Sequence, residues 1–289
     1  MDKTMTSPET SPRLSFEFFP AKTDLGREKL VKTRKELNAL GPDFFSVTYG
    51  AGGSTRDNTK GIVTEMRKEG LSVAPHLSFG GADQASMIEL IQEYKDAGVD
   101  RIVALRGDMP SGVGGAMNLV YANELVAFIR EHFGAHFHLE VAAYPEVHPQ
   151  ADSYDDDVRY LKGKFDAGAS SAITQYFYNP DAYLYFMDHC ARAGIEKLIY
   201  PGVMPIVNFK NLCRFSDACG AEIPRWIRKR IDAFGDDQAS ITAFGIDLVS
   251  ELAETLLENG APGIHFYTMN QVEPIRTIVK NLGLDVTTA

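Results

Sequence analysis

Glu17 stands in the run Phe16-Glu17-Phe18-Phe19-Pro20, a carboxylate between aromatic neighbours near the end of a strand-like segment. Loss of water around such a group raises its pKa and lets it hold a proton near neutrality, which is the profile of a general acid. The competing reading is an exposed Glu on an alternating strand, pointing away from the phenylalanines. Arg106-Gly107-Asp108 ends another such segment. There an Arg suits a pyrophosphate, an Asp suits a polar ring edge, and Gly107 permits close backbone approach; a plain rim salt bridge is the alternative. Tyr144-Pro145-Glu146-Val147-His148-Pro149 places three functional side chains on a loop stiffened by two prolines. His76, in Ala74-Pro75-His76-Leu77, is either part of a site or a satisfied core histidine. Gly50-Ala51-Gly52-Gly53-Ser54 enters a helix and offers backbone N–H groups to an anion.

Other chemistries lack their residues. The sequence has neither a Walker Gly-Lys-Ser/Thr nor a G-x-G-x-x-G placed for a Rossmann site, no HExxH, and no Gly-x-Ser-x-Gly elbow. His132, His136 and His138 gather at the start of a strand, the wrong end for a barrel metal site, so no metal is expected. No lysine sits at a strand tip where a Schiff base would form. A site rich in hydrogen-bonding groups but without its own strong electrophile or nucleophile points to an organic cofactor.

These residues need a scaffold that brings strand ends together. Eight apolar runs supply one: Leu14–Phe19, Phe44–Tyr49, Val73–Leu77, Ile102–Asp108, Leu139–Pro145, Ala172–Tyr178, Leu198–Pro205 and Ile264–Asn270. Nearly all carry a polar or charged residue; Leu198–Pro205 is the weakest. This is the pattern of an α/β protein with a (β/α)8 TIM barrel, whose active sites open at the C-terminal strand ends. Seven glycines, Gly41, Gly70, Gly98, Gly134, Gly168, Gly194 and Gly260, each close a helix-like stretch before the next strand. The 66-residue gap from Gly194 to Gly260 implies extra helices after strand seven, expected at Asn208–Ala218, Pro224–Phe234 and Gln238–Glu258. Asp83 is the expected cap of a helix carrying Met87, Ile88, Ile91 and Tyr94, and Pro224 suits a first helical turn.

The 289 residues fit one such barrel over 14–289, preceded by a polar tail over 1–13 expected to be disordered. A net charge of −10 argues against a nucleic-acid footprint, and Arg225, Arg228, Lys229 and Arg230 read as a solvated helix face. Three cysteines without CxxC spacing suit a reducing compartment, and no apolar run approaches a membrane span, so a cytoplasmic protein is expected.

Taken together, Phe16-Glu17-Phe18-Phe19-Pro20, Ser46-Val47-Thr48-Tyr49-Gly50-Ala51, Ala74-Pro75-His76-Leu77, Leu105-Arg106-Gly107-Asp108, Tyr144-Pro145-Glu146-Val147-His148-Pro149 and Ile173-Thr174-Gln175 closely resemble the bacterial-type methylenetetrahydrofolate reductase family. The motifs occur in order, one per strand, from about Leu14 to Leu284. The resemblance implies an FAD-bearing barrel that takes hydride from NADH or NADPH and passes it to 5,10-methylenetetrahydrofolate in a ping-pong cycle. By motif, Glu17 is the general acid toward the folate, and Asp108 is the carboxylate beside the flavin. Thr48, His76, Arg106, Gly107, Asp108, Tyr121, Ala122, Tyr144, His148, Ala151, Asp157 and Lys164 fall on FAD-contacting positions. Gln175 and Phe215 fall on positions facing folate or nicotinamide, with Gln271 a further substrate position where some relatives carry Arg. Asn211 stands where a Gln can occur.

The resemblance also implies a homodimer or homotetramer. It ends before the C-terminal regulatory domain of eukaryotic relatives, so inhibition by S-adenosylmethionine is not expected. A proline dehydrogenase-type flavin barrel, a metal-dependent lyase barrel and a non-catalytic folate- or flavin-binding protein are the alternatives.

Overall fold

A computed structural model of the chain describes residues 11–49, 56–79, 83–106 and 121–285. Its parallel strands are β1 (Arg13–Phe18), β2 (Phe44–Val47), β3 (Val73–Leu77), β4 (Arg101–Ala104), β5 (His138–Ala143), β6 (Ser171–Thr174), β7 (Ile199–Tyr200), β8 (Gly202–Val203) and β9 (Gly263–Tyr267). They pair in the order β7-β6-β5-β4-β3-β2-β1-β9-β8. β7 pairs with β6, β8 pairs with β9, and only Pro201 separates β7 from β8. These two short pieces are therefore one barrel strand, the seventh, and the ring closes through it. Proline has no N–H to give the ladder, which explains the break and the weak strand signal there.

Helices α1 (Asp24–Asn38), α2 (Arg56–Lys68), α3 (Gln84–Asp96), α4 (Ala122–Phe133), α5 (Tyr154–Asp166) and α6 (Pro180–Arg192) follow the first six strands in turn. α7 (Phe209–Cys219), α8 (Arg225–Phe234) and α9 (Gln238–Glu258) are the expected insertion after strand seven, and α10 (Glu273–Asn281) completes the ring. All seven junction glycines have positive φ, from 58° at Gly134 to 112° at Gly168. Asp83 caps α3 by accepting from the Ser86 N–H at 2.8 Å. Pro224 sits one residue earlier than expected, as the N-cap of α8 rather than in its first turn. Arg225, Lys229 and Arg230 are exposed, as a solvated face requires. β1 begins at Arg13, one residue before the expected barrel start. None of the helices among the described residues is long and apolar enough to cross a membrane.

The period of two along each strand sorts the side chains. Phe16 and Phe18 pack against Phe45, and Phe16 also against Phe266, in the layer shared with the helices. Their neighbours Ser15 and Glu17 take the opposite face, toward the barrel axis. A separate small cluster of Phe44, Ala74, Val103 and Ile173 fills part of that interior.

At the N-terminal end of the barrel, the fully buried Glu140 pairs with Arg101 and accepts from Ser171 Oγ at 2.6 Å. The Arg101 guanidinium lies 4.3 Å over the Phe44 ring. This is a compensated charge at the stability end of the fold.

The split seventh strand is tightly packed. The Gly202 N–H donates to Thr174 Oγ1 at 2.9 Å, and a Cβ at Gly202 would lie 2.3 Å from the Thr174 carbonyl oxygen and 2.6 Å from the Tyr267 ring. We expect Gly202→Ala to destabilise the fold by about 1–3 kcal/mol, the usual cost of overpacking. Thermal unfolding followed by circular dichroism checks this; an unchanged midpoint would mean the barrel closure yields without cost.

Candidate active site

Three strands converge on Glu17. Register pairs it with Ser46 of β2 on one side and Tyr267 of β9 on the other. His76 at the end of β3 brings Nε2 to 3.2 Å from Glu17 Oε2, and His265 of β9 brings its own Nε2 to 3.6 Å from the same oxygen. The ring of His265 is fixed from behind, with Nδ1 2.7 Å from Ser15 Oγ, and it stacks on Phe44. Both Nε2 atoms and Ser46 Oγ are buried without an aligned hydrogen bond among the described residues. Ser46 Oγ thus has no partner among the described residues and the two imidazoles meet the carboxylate off-axis, an arrangement that suits a place where a ligand completes the bonding.

Two expectations about Glu17 are corrected by this geometry. At 7% exposure it is not a solvent-facing side chain, and the aromatic residues beside it in sequence face away from it. Water is excluded instead by the barrel interior. Nor is its pKa raised. Burial alone would raise it, but the charge of His76, contacts with His265 and His76, and the charge of His265 together bring it down to about 2. The contacts from the two imidazoles together outweigh the penalty of burial.

The rim between β4 and β5 gathers positive charge. Arg106 donates to Gln150 Oε1, and Lys164 of α5 is half-buried with Nζ donating to the Ala142 carbonyl at 2.8 Å. Burial is the main cause that takes the Lys164 pKa down to about 8; Asp157 opposes it, and the nearby Arg106 charge adds to the lowering. Asp157 accepts from the His148 N–H at 2.9 Å, and burial raises its pKa. The His148 pKa is lowered by burial, with Arg106 and Lys164 adding to it against Asp157. Tyr144 packs edge-on against His148, and the Ala151 N–H donates to the His148 carbonyl at 2.9 Å. Two cations against one carboxylate, in a chain of net charge −10, suit a phosphate-bearing cofactor. Thr48 follows β2 and holds the Thr59 hydroxyl through its carbonyl at 2.9 Å. The exposed Tyr121 and the buried Ala122 open α4. Gly107, Asp108 and the Gly50–Ser54 loop lie outside the described residues.

On the β6 side, Gln175 lines a shallow cleft with Tyr144, Glu146, Tyr176 and Cys219 among its walls. Glu146 accepts from the Glu222 N–H at 2.7 Å. Its pKa is pushed up to about 7, chiefly by burial, with that bond opposing and the Glu222 charge adding. Val147 beside it has φ 71°, a strained conformation for a β-branched residue and a feature that clusters at functional sites. α7 closes over this side: Ser216 Oγ lies 3.0 Å from the Tyr176 hydroxyl, and the half-buried Phe215 is on the same helix, under the Arg214 guanidinium. Gln271 follows β9, and its N–H donates to the Thr268 carbonyl at 3.0 Å.

The structure thus brings Glu17 and His76 together, groups Arg106, Tyr144, His148, Ala151, Asp157 and Lys164 along one rim, and sets Gln175 on a cleft shared with Tyr144. It also reveals Ser15, Ser46 and His265, which the sequence reading passed over. The signal was present: Ser15 is two residues before Glu17, and so on the same strand face.

A sequence profile described as Methylenetetrahydrofolate reductase matches residues 2–283. The chain belongs to the methylenetetrahydrofolate reductase family. The 5,10-methylenetetrahydrofolate reductase of Escherichia coli (strain K12) is 39% identical over 272 residues, covering 94% of this chain and 90% of that protein. The Methylenetetrahydrofolate reductase (NADH) 1 of Zea mays is 36% identical over 284 residues, covering 93% of this chain and 48% of that one. Among solved structures, an uncharacterized Clostridium thermocellum protein that binds two copies of 5-methyl-5,6,7,8-tetrahydrofolic acid shares the fold, with a TM-score of 0.66 at 20% identity over 94% of both chains.

The depressed Glu17 pKa has a consequence for stability. A carboxylate taken from 4.5 to about 2 on folding stabilises the protein above pH 4.5, and that contribution is lost as pH falls toward 2. Glu17→Gln removes the group, so its stability should fall less steeply than wild type between pH 4.5 and 2. Urea titrations at several pH values measure this; parallel curves would show that the histidines do not hold Glu17 ionised.

Proposed function

We propose that this chain reduces 5,10-methylenetetrahydrofolate to 5-methyltetrahydrofolate, with FAD as cofactor and NADH or NADPH as donor, the two substrates using the site in turn. The observation that carries this reading is the buried Glu17 between two imidazoles at the C-terminal strand ends of a barrel from this family. Arg106, Lys164, His148 and Tyr144 would hold FAD, their positive charge matching its phosphates and their rings its flat surfaces. Bound FAD supplies the hydride-carrying group that no side chain provides. Gln175, on the cleft beside Tyr144, would orient the substrate, with Phe215 stacking from α7.

The protein's own part is proton transfer. Glu17 gives a proton to the folate nitrogen, and opening of the five-membered ring leaves a cationic iminium ready to receive hydride. The carboxylate left on Glu17, with Asp108 as a second anion, stabilises that cation.

Glu17→Gln separates the two halves of the cycle. The variant should keep its yellow colour and be bleached by NADH within about twofold of the wild-type rate, while folate-driven recovery of colour falls roughly a hundredfold or more. Anaerobic stopped-flow absorbance gives both rates. Wild-type folate reduction by the variant would remove Glu17 from the acid role.

A further inference from the structure

The loop after β5 carries one acidic side chain, Glu146, that has no part in the chemistry proposed above. We infer that Glu146 is a positioning residue: its carboxylate fastens the C-terminal end of α7 to the cofactor loop and so fixes the helix that carries Phe215. The inference rests on the function proposed above and names what holds the substrate wall of that site in place.

α7 needs a fastening of this kind. Only Leu212 and Ser216 of its eleven residues are buried, so polar contacts carry much of its placement. Its last turn meets the barrel at three points. The Tyr176 hydroxyl, just beyond β6, stands 3.0 Å from Ser216 Oγ and receives the Cys219 thiol at 3.5 Å. Gly220 caps the helix with φ 77° and lies so near the Pro149 ring that a Cβ there would come within 2.8 Å of Pro149 Cγ. Two residues on, the Glu222 N–H donates to Glu146 Oε2 at 2.7 Å. Glu146 and Pro149 flank the strained Val147 and share their loop with Tyr144 and His148, the residues proposed to hold FAD. A β-branched residue keeps a φ of 71° only where its surroundings impose it. Cofactor loop and substrate helix are thereby joined through one carboxylate and one glycine–proline contact.

The carboxylate makes this joint sensitive to pH. The titratable groups around it are the Glu222 carboxylate from the α7–α8 segment, the Tyr176 hydroxyl from beyond β6, the Cys219 thiol from α7 and Tyr144 from its own loop. None of them carries a positive charge. Burial raises the Glu146 pKa to about 7, with the Glu222 N–H opposing and the Glu222 charge adding. Released into water, the same carboxyl returns toward 4.5. The fastened form therefore binds the proton more tightly. Fastening is strongest below pH 4.5, weakens as pH rises from 4.5 to about 7, and stays at its weaker level above. A neutral carboxyl still accepts the N–H through its carbonyl oxygen, so protonation removes the repulsion and keeps the bond.

Two measurements on the FAD-loaded protein test this: hydrogen exchange of the Glu222 amide, and the folate concentration that half-saturates reoxidation after reduction by NADH. Glu146→Ala should lower the protection of that amide roughly tenfold and raise the half-saturating concentration roughly five- to tenfold, with the limiting rate changed by less than about threefold. Glu146→Gln keeps an acceptor without the charge and should restore both. Between about pH 5.5 and 7.5 the wild-type protection, corrected for intrinsic exchange, should fall roughly tenfold, whereas in Glu146→Gln it should stay level. Glu222→Gln, at an exposed position, removes the repulsion and should raise protection at neutral pH. It keeps the test open if Glu146→Ala does not fold. An amide as protected in Glu146→Ala as in wild type, a half-saturating concentration unmoved by that variant, a wild-type protection level with pH, or no gain in Glu222→Gln overturns the inference. Wild-type protein that NADH bleaches and folate does not reoxidise refutes the function proposed above, and the exchange data then still decide the fastening.

Discussion

Inside a barrel of eight short strands a buried charge is costly unless other strands bring it partners. The rest of the site depends on this constraint. Alternation along β1 sends Phe16 and Phe18 outward to pack with Phe45 and Phe266, and by the same step sends Ser15 and Glu17 inward. Once Glu17 is inside, its charge is supportable only because β3 delivers His76 and β9 delivers His265. Closure through the broken seventh strand matters for the same reason. β8 is what β9 pairs with on its far side, and the His265 N–H is tied to the Pro201 carbonyl at 3.0 Å.

The two ends of the barrel treat a buried carboxylate differently. Glu140, near the strand starts, has an arginine, a serine hydroxyl and His138 directed at it, and its charge is met in place. Glu17, near the strand ends, has two imidazoles that approach without aligning and a neighbouring Ser46 hydroxyl with no partner among the described residues. A compensated charge belongs to stability and an incompletely bonded one to chemistry, in keeping with the division of labour in this architecture. The loop after β9 is fastened to the Glu17 strand as well. The Thr268 hydroxyl donates to the Glu17 carbonyl at 2.5 Å, and the Asn270 carboxamide bonds both backbone groups of Phe19.

Much of this was legible in the sequence because its causes are local. Strand runs, junction glycines and the Asp83 cap follow from periodicity and backbone preference within a few residues. The extra helices α7 to α9 were announced by the long interval between Gly194 and Gly260. The environment of Glu17 was not legible, because sequence neighbours are the wrong neighbours for a residue on a strand: the flanking phenylalanines seemed to desolvate it, and they lie on the other face. Its true neighbour His265 is 248 residues away, inside the last strand run rather than at the tip where a barrel carries its recognisable site residues. Pro201 was visible, but that it would divide a strand while preserving barrel closure depended on the pairing of β7 and β8 with different partners.

The central claim is that this barrel passes hydride from a nicotinamide to a folate through a bound flavin. The measurement that addresses it most directly is the visible spectrum of the purified protein during anaerobic addition of NADH and then of 5,10-methylenetetrahydrofolate. The account predicts a yellow protein that bleaches with the nucleotide and regains its colour with the folate. A protein that stays colourless after incubation with FAD, or a bleached one that the folate leaves bleached, would contradict it.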